Sequence, residues 1–186
     1  MLNVMLTSVG RRGFLVKCFQ HALREEGKVF AGNSQISSGL IVADEKVITP
    51  MIYSEEYIPY ILNYCTCNDI KMVMPLFDYD TVILSENRSL FLKDGINIVT
   101  ADADVCRLCF DKLSFIEKMN AFGFDVPHTI TDIYSVSKEL EYPIVVKPRY
   151  GMGSIGLYVI SNTKELMVFY ERCLRDIDNT YIRYFN

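Results

Sequence analysis

No apolar run in the 186 residues approaches the ~18 that a membrane-spanning helix needs, so no membrane span is expected. Basic residues do not gather beyond the pair Arg11-Arg12, and the net charge is −4. Neither nucleic acid nor an anionic membrane surface is therefore expected as a partner. A signal peptide is not expected either, because Arg11 and Arg12 follow the apolar stretch Leu2–Leu6 instead of preceding it. Histidine is scarce, with two residues. His21 lies beside Gln20 in a helical segment and His128 follows Pro127, neither with a serine or cysteine at recognisable spacing, which argues against a nucleophilic triad.

The six cysteines include two close pairs, Cys65-Thr66-Cys67 and Cys106-Arg107-Leu108-Cys109. Four thiolates could hold zinc, but the second pair lies in a helical pattern and neither has a glycine-rich knuckle. They read as small buried hydrophobes in a cytoplasmic protein, and no metal site is expected from them.

Hydrophobic residues make up 50% and charged residues 23%, the balance of an ordinary globular protein. The first hundred residues alternate between two periodicities. Asn3–Thr7 is a short apolar run, read as a strand buried on both faces. Phe14, Leu15, Cys18, Phe19, Ala22 and Leu23 then repeat at helical spacing, with Gly27 placed as the helix stop. Further strands are expected at Val29–Gly32, Glu45–Thr49, Lys71–Pro75 and Ile96–Val99, and helices at Tyr57–Tyr64 and Thr81–Leu92. Strand–helix alternation predicts an α/β fold, a parallel sheet with helices on both faces.

The rhythm changes near residue 102. One long helix is expected over Val105–Phe122, ended by Gly123. Strand, short helix, strand, glycine loop, strand, helix and strand follow: His128–Thr131, Ser135–Leu140, Pro143–Lys147, Arg149–Gly156, Leu157–Ile160, Lys164–Arg175 and Thr180–Tyr184. This predicts a Rossmann-like unit over 1–102 and a smaller α+β unit over 103–186.

Two glycine turns carry chemistry. Ser8-Val9-Gly10-Arg11-Arg12-Gly13 joins the first strand to the first helix, where a Rossmann fold aims N–H groups at a pyrophosphate. The first glycine of the dinucleotide fingerprint is missing, and Asn33 and Ser34 stand where an acid is expected. The turn reads as scaffold first, with Arg11 or Arg12 as a candidate contact for an anionic substrate. Asp78 and Asp80, at the end of the fourth strand, lie where open α/β sheets gather ligands; capping explains Asp80 as well.

The second turn is more specific. Pro143-Ile144-Val145-Val146-Lys147-Pro148-Arg149-Tyr150-Gly151-Met152-Gly153-Ser154-Ile155-Gly156 delivers a lysine at a strand end and then three glycines and a serine before the next strand. Glycines let successive N–H groups face phosphate oxygens, and lysine adds a compact positive charge. In the Walker loop the lysine follows the glycines and a helix comes next, so this is a different arrangement.

That order resembles the ATP-grasp superfamily, in which a Rossmann-like pre-ATP-grasp domain precedes a helix opening with Asp-Lys and a small flap subdomain carrying Val-Lys-Pro and the glycine loop. Met1–Asp102, Asp111-Lys112 and Val146-Lys147-Pro148 match in that order. The Ser-x-Gly-Arg-Arg turn and Met74–Asp78 are similar to the carbamoyl phosphate synthase large-chain group. The resemblance implies an ATP-dependent carboxylate–amine ligase proceeding through an acyl phosphate. It implies Lys112 and Lys147 as phosphate contacts, with Gly151, Gly153, Ser154 and Gly156 as the covering flap and Arg149 beside them. Tyr184 and Phe185 resemble the hinge strand that meets adenine, although Arg183-Tyr184 replaces the usual Gln-Glu. The family's magnesium ligands belong to a C-terminal subdomain, so no catalytic residue is expected in this stretch and Mg2+ is expected only with that subdomain. ATP and a small carboxylate are the expected partners, with a homodimer allowed. A non-catalytic nucleotide-binding or assembly module working with a separate chain is the alternative.

Overall fold

The structure is a computed structural model that describes residues 2–136 and 141–176. The chain divides into two compact units, Met1–Arg107 and Leu108–Asn186.

The first unit is built on five parallel strands: β1 (Asn3–Thr7), β2 (Val29–Asn33), β3 (Glu45–Ile48), β4 (Ile70–Pro75) and β5 (Asn97–Ile98), in the order β3-β2-β1-β4-β5. β1 lies at the centre, with Val4 opposite Val29 on one side and Met72 on the other. All five of its residues are buried, as an apolar run between two neighbours requires. Side chains alternate between the faces, so Val4 and Leu6 join one core while Met5 joins the other.

The Val4–Leu6 face is covered by α1 (Gly13–Leu23) and α2 (Ser38–Ile41), through Val16, Leu40 and the partly buried Phe19 and Leu23. The Met5 face is covered by α3 (Tyr57–Cys67), α4 (Asp78–Glu86) and α5 (Arg88–Lys93). On α3 the buried positions are Tyr57, Ile61 and Cys65, one every four residues, which is the spacing of a single helix face. Each large apolar side chain taken fully out of water contributes about 1.5–3 kcal/mol, so the two faces together outweigh any single polar contact. The chain winds from β1 through β2 to β3, then returns across the sheet to β4. The order therefore reverses between β1 and β4, the place where sheets of this kind open a crevice.

Four expectations change. The helix expected over Thr81–Leu92 is two, because Asn87 ends α4 by donating from its side-chain amide to the Ile83 carbonyl at 2.9 Å. The long helix expected over Val105–Phe122 is also two, α6 (Ala103–Phe110) and α7 (Lys112–Ala121), divided at Asp111. Gly27 is not the stop of α1, which ends at Leu23; it is required because the Leu2 carbonyl oxygen lies 2.0 Å from where a Cβ would stand. Residues 128–131 form no strand. Thr129 turns its hydroxyl onto the Pro127 carbonyl at 3.0 Å, a local bond that competes with ladder pairing.

The second unit holds an antiparallel pair, β6 (Ile144–Val146) and β7 (Tyr158–Ile160), with Ile144 opposite Ile160 and Val146 opposite Tyr158. One face packs with α8 (Thr163–Asp176) around Val136, Ile144, Ile160 and Leu166. The expected strand Thr180–Tyr184 and residues 137–140 of the expected short helix lie outside the described residues.

Gly39 locks α2 onto the turn after β1. Its N–H donates to the Gly10 carbonyl at 2.9 Å, and a Cβ there would stand 2.7 Å from Val9 Cγ2 and 2.8 Å from that same carbonyl. Gly39→Ala is therefore expected to cost about 1–3 kcal/mol, read as a lower urea midpoint. A loss below about 0.5 kcal/mol, the range of ordinary surface changes, would show that this contact yields freely.

Candidate functional site

In the second unit β6 ends at Val146 and is followed by Lys147, which is exposed, and Pro148, which is buried. The loop that follows turns through four positive φ angles: Gly151 at +123°, Gly153 at +63°, Ser154 at +60° and Gly156 at +70°. Only glycine enters these regions cheaply, and Ser154 does so at some cost. At Gly156 close packing adds a second reason, since a Cβ would stand 3.0 Å from Pro148 Cγ. At Gly153 nothing lies within 4 Å of that position, so the backbone conformation alone demands glycine. Gly153, Ser154 and Ile155 are exposed, which leaves the tip of the loop standing in solvent.

Lys112 opens α7 and reaches this loop. Its Nζ donates to the Gly151 carbonyl at 2.6 Å and to the Arg149 carbonyl at 3.3 Å, and its backbone N–H also donates to the Arg149 carbonyl at 3.3 Å. Beside it, the Asp111 carboxylate gathers six donors. Oδ1 accepts from the N–H groups of Leu113 and Ser114, which makes Asp111 the N-cap of α7, and from Arg149 Nε at 2.7 Å. Oδ2 accepts from the Ser114 hydroxyl at 2.7 Å, Arg149 Nη2 at 2.5 Å and the Tyr150 hydroxyl at 3.1 Å. The Tyr150 ring stacks on Phe110 with centroids 5.9 Å apart, and the Arg149 guanidinium lies 5.4 Å from the Tyr150 centroid.

This environment holds the Asp111 carboxyl well below the usual carboxylate range. The Arg149 hydrogen bonds are the main cause and Ser114 adds to them, against the opposing effect of burial. The Arg149 guanidinium is driven upward by the same bonds.

In the first unit the turn after β1 satisfies itself. The Gly10 N–H donates to Asn33 Oδ1 at 3.2 Å, and the Arg12 N–H to the Val9 carbonyl at 3.0 Å. A neutral amide thus closes the turn where a dinucleotide binder keeps an acid. Arg11 is exposed, and Arg12 Nη1 donates to the Ser8 carbonyl at 3.5 Å. Asp78 is exposed in the first turn of α4. Asp80 is wholly buried beneath the ends of β1 and β4, with Ser8 donating at 2.8 Å and Tyr57 at 2.6 Å. Burial pushes its carboxyl upward and the neighbouring hydroxyls oppose that shift. Asp80 therefore neither caps a helix nor faces a ligand; it fills the switch point of the sheet from within. Among the described residues no three His, Cys, Asp or Glu side chains gather as a metal site, and Cys65, Cys106 and Cys173 are buried while Cys18, Cys67 and Cys109 are exposed. The reading of the cysteines as small buried hydrophobes thus holds for half of them. No helix among the described residues is long and apolar enough to cross a membrane.

The family model of the PylC-like N-terminal domain matches residues 4–99, and that of the ATP-grasp domain matches 109–183. The chain belongs to the ATP-grasp superfamily, with a PylC-like N-terminal domain. Among curated proteins, this ATP-grasp chain is 25% identical to the carbamoyl phosphate synthase large chain of Halomonas eurihalina over 170 residues, 84% of the chain and 15% of that protein. It is also 25% identical to the D-alanine–D-alanine ligase of Petrotoga mobilis over 89 residues, 48% of the chain and 30% of that enzyme. Among solved structures, the biotin carboxylase domain of the Hydrogenobacter thermophilus 2-oxoglutarate carboxylase superposes with a TM-score of 0.71 at 20% identity, over 97% of this chain and 42% of that one. At that identity the likeness is one of fold. The chain spans well under half the length of these relatives.

The structure brings Lys112, Arg149 and Gly151 together, and the same loop carries Gly153, Ser154 and Gly156. Tyr184 and Phe185 lie outside the described residues. Sequence reasoning assigned a role to Lys112 and none to its neighbour Asp111. The signal was present: Asp111-Lys112-Leu113-Ser114 places a capping residue inside a helical pattern.

The folded protein holds the Asp111 proton less tightly than the unfolded chain. The group therefore adds stability above the unfolded carboxylate range near pH 4, and loses it as pH falls through its own depressed pKa. Asp111→Asn is expected to be less stable than the parent at pH 7, with the gap closing below about pH 4, as read by urea denaturation across pH. A gap that stays constant to pH 2 would remove Arg149–Asp111 pairing as a source of stability.

Proposed function

We propose that this chain supplies the nucleotide-gripping part of an ATP-dependent carboxylate–amine ligase. The observation that carries the reading is the lysine-ended strand running into a left-handed glycine loop that a second lysine, Lys112, reaches with its ammonium group. Two ammonium groups and a run of glycine N–H groups suit a triphosphate and little else of cellular abundance.

In this reading the loop Gly151–Gly156 folds over the β- and γ-phosphates, and Lys147 and Lys112 neutralise charge on them. The Nζ of Lys112 exchanges the Gly151 carbonyl for a phosphate oxygen as nucleotide arrives. Arg149 contributes through Asp111, on which its fork is spent. Tyr184 and Phe185 stay as the proposed adenine contacts. On the first unit, Arg11 and Arg12 are the proposed partners of an anionic substrate and Asp78 of an amine, on charge and exposure.

Phosphoryl transfer to a carboxylate gives an acyl phosphate, and attack by an amine releases phosphate and leaves an amide. Developing charge on the transferring group is what lysines and N–H groups stabilise. The described residues do not gather the acids that a magnesium ion requires, so no step is assigned to a metal here. The Hydrogenobacter structure was solved with MgADP and bicarbonate, which supports nucleotide as the ligand class of the fold.

ATP titrated into the full-length protein by calorimetry tests this. Lys147→Ala is expected to weaken binding roughly 10- to 100-fold, the loss of a charge-assisted contact worth about 1.5–3 kcal/mol. Equal affinity in variant and parent would overturn the assignment of the loop.

A further inference from the structure

Asp111 touches both halves of the proposed phosphate cradle. Its Oδ1 starts the helix that carries Lys112, by accepting from the Leu113 and Ser114 N–H groups. Both oxygens accept the Arg149 fork, and Oδ2 accepts the Tyr150 hydroxyl; these two residues lead from Pro148 into the glycines. With six donors around it, and a side chain only 12% exposed, this carboxylate is directed at protein and has nothing left for a ligand. A bare acid beside a triphosphate would repel it, and the Arg149 guanidinium removes that repulsion.

The elements it joins have little else to fix them. α7 buries none of its residues, and a Cβ at Gly153 would touch nothing. Polar contacts through Asp111 and Lys112, beside the Phe110–Tyr150 ring stack, are thus what register the helix against the loop. We infer that Asp111 is a positioning residue for nucleotide, setting Lys112 and the glycine loop in one pre-formed geometry through Arg149 and Tyr150. This rests on the nucleotide reading above. Its consequence is that affinity depends on a side chain that never meets ATP, because loop ordering is completed before binding instead of during it.

The test uses Asp111→Asn in the full-length protein. Asparagine caps a helix as well as aspartate does, so α7 is retained, while the charge that holds the Arg149 fork is lost. ATP affinity is expected to fall about 10-fold, and amide exchange over residues 149–156 in the nucleotide-free protein to speed up, with exchange in β1 and β4 unchanged. Arg149→Lys keeps a positive charge without the fork and is expected to give the same two effects. The double variant is expected to be no weaker than the worse single, since both break one link. Full ATP affinity in Asp111→Asn, or losses that simply add in the double variant with no change in loop exchange, would overturn the inference while leaving the nucleotide reading intact. A parent protein that binds no ATP would overturn the nucleotide reading and this inference together.

Discussion

The glycine loop of the second unit depends on one carboxylate. A loop rich in glycine is poor in side chains and therefore poor in apolar contacts of its own. Gly153, Ser154 and Ile155 at its tip are exposed, while Gly156 packs against Pro148 at its base. What remains to orient it is polar and directional: the Arg149 fork on Asp111, the Tyr150 hydroxyl, and Lys112 on the Gly151 carbonyl. Bidentate pairing suits this, since two parallel bonds fix an angle as well as a distance. An apolar contact of equal strength would hold the loop in place without fixing its direction.

Two buried aspartates among the described residues show how environment decides what a carboxylate does. Asp111 faces a guanidinium and backbone N–H groups, so its charged form is favoured and its proton is released early. Asp80 faces only hydroxyls inside the core, so its charged form is disfavoured and its pKa moves the other way. The same comparison separates their roles. Asp80 is wholly buried and accepts from Tyr57 and Ser8, which ties α4 to α3 and to the turn after β1. In this first unit a buried, hydrogen-bonded carboxylate thus lies beside the turn after β1.

How far this was legible in the sequence depends on which residues carry each feature. β1, β2 and β4 announce themselves because strands buried on both faces are short continuous apolar runs. The glycine loop was legible because φ angles that other residues avoid leave glycine as the recorded trace. α2, four residues long, was not, since periodicity needs more than one turn to show. The division between α6 and α7 was missed for a different reason: Leu108, Phe115 and Ile116 keep helical spacing straight through Asp111, so the pattern hides a break that one side chain makes. Asp80 was misread as a cap because its partners, Tyr57 and Ser8, lie 23 and 72 residues away in sequence. The grip of Lys112 on Gly151, across 39 residues, is tertiary in the same sense.

On the proposed nucleotide reading, the Lys112 contact is one that an arriving phosphate would replace. In this structure the Lys112 Nζ donates to the Gly151 and Arg149 carbonyls. A neutral carbonyl attracts an ammonium group less than a phosphate oxygen does, so under the proposed function this contact would yield to nucleotide. The difference between those two attractions, and not the absolute strength of either, sets how much of the lysine's charge is realised as affinity.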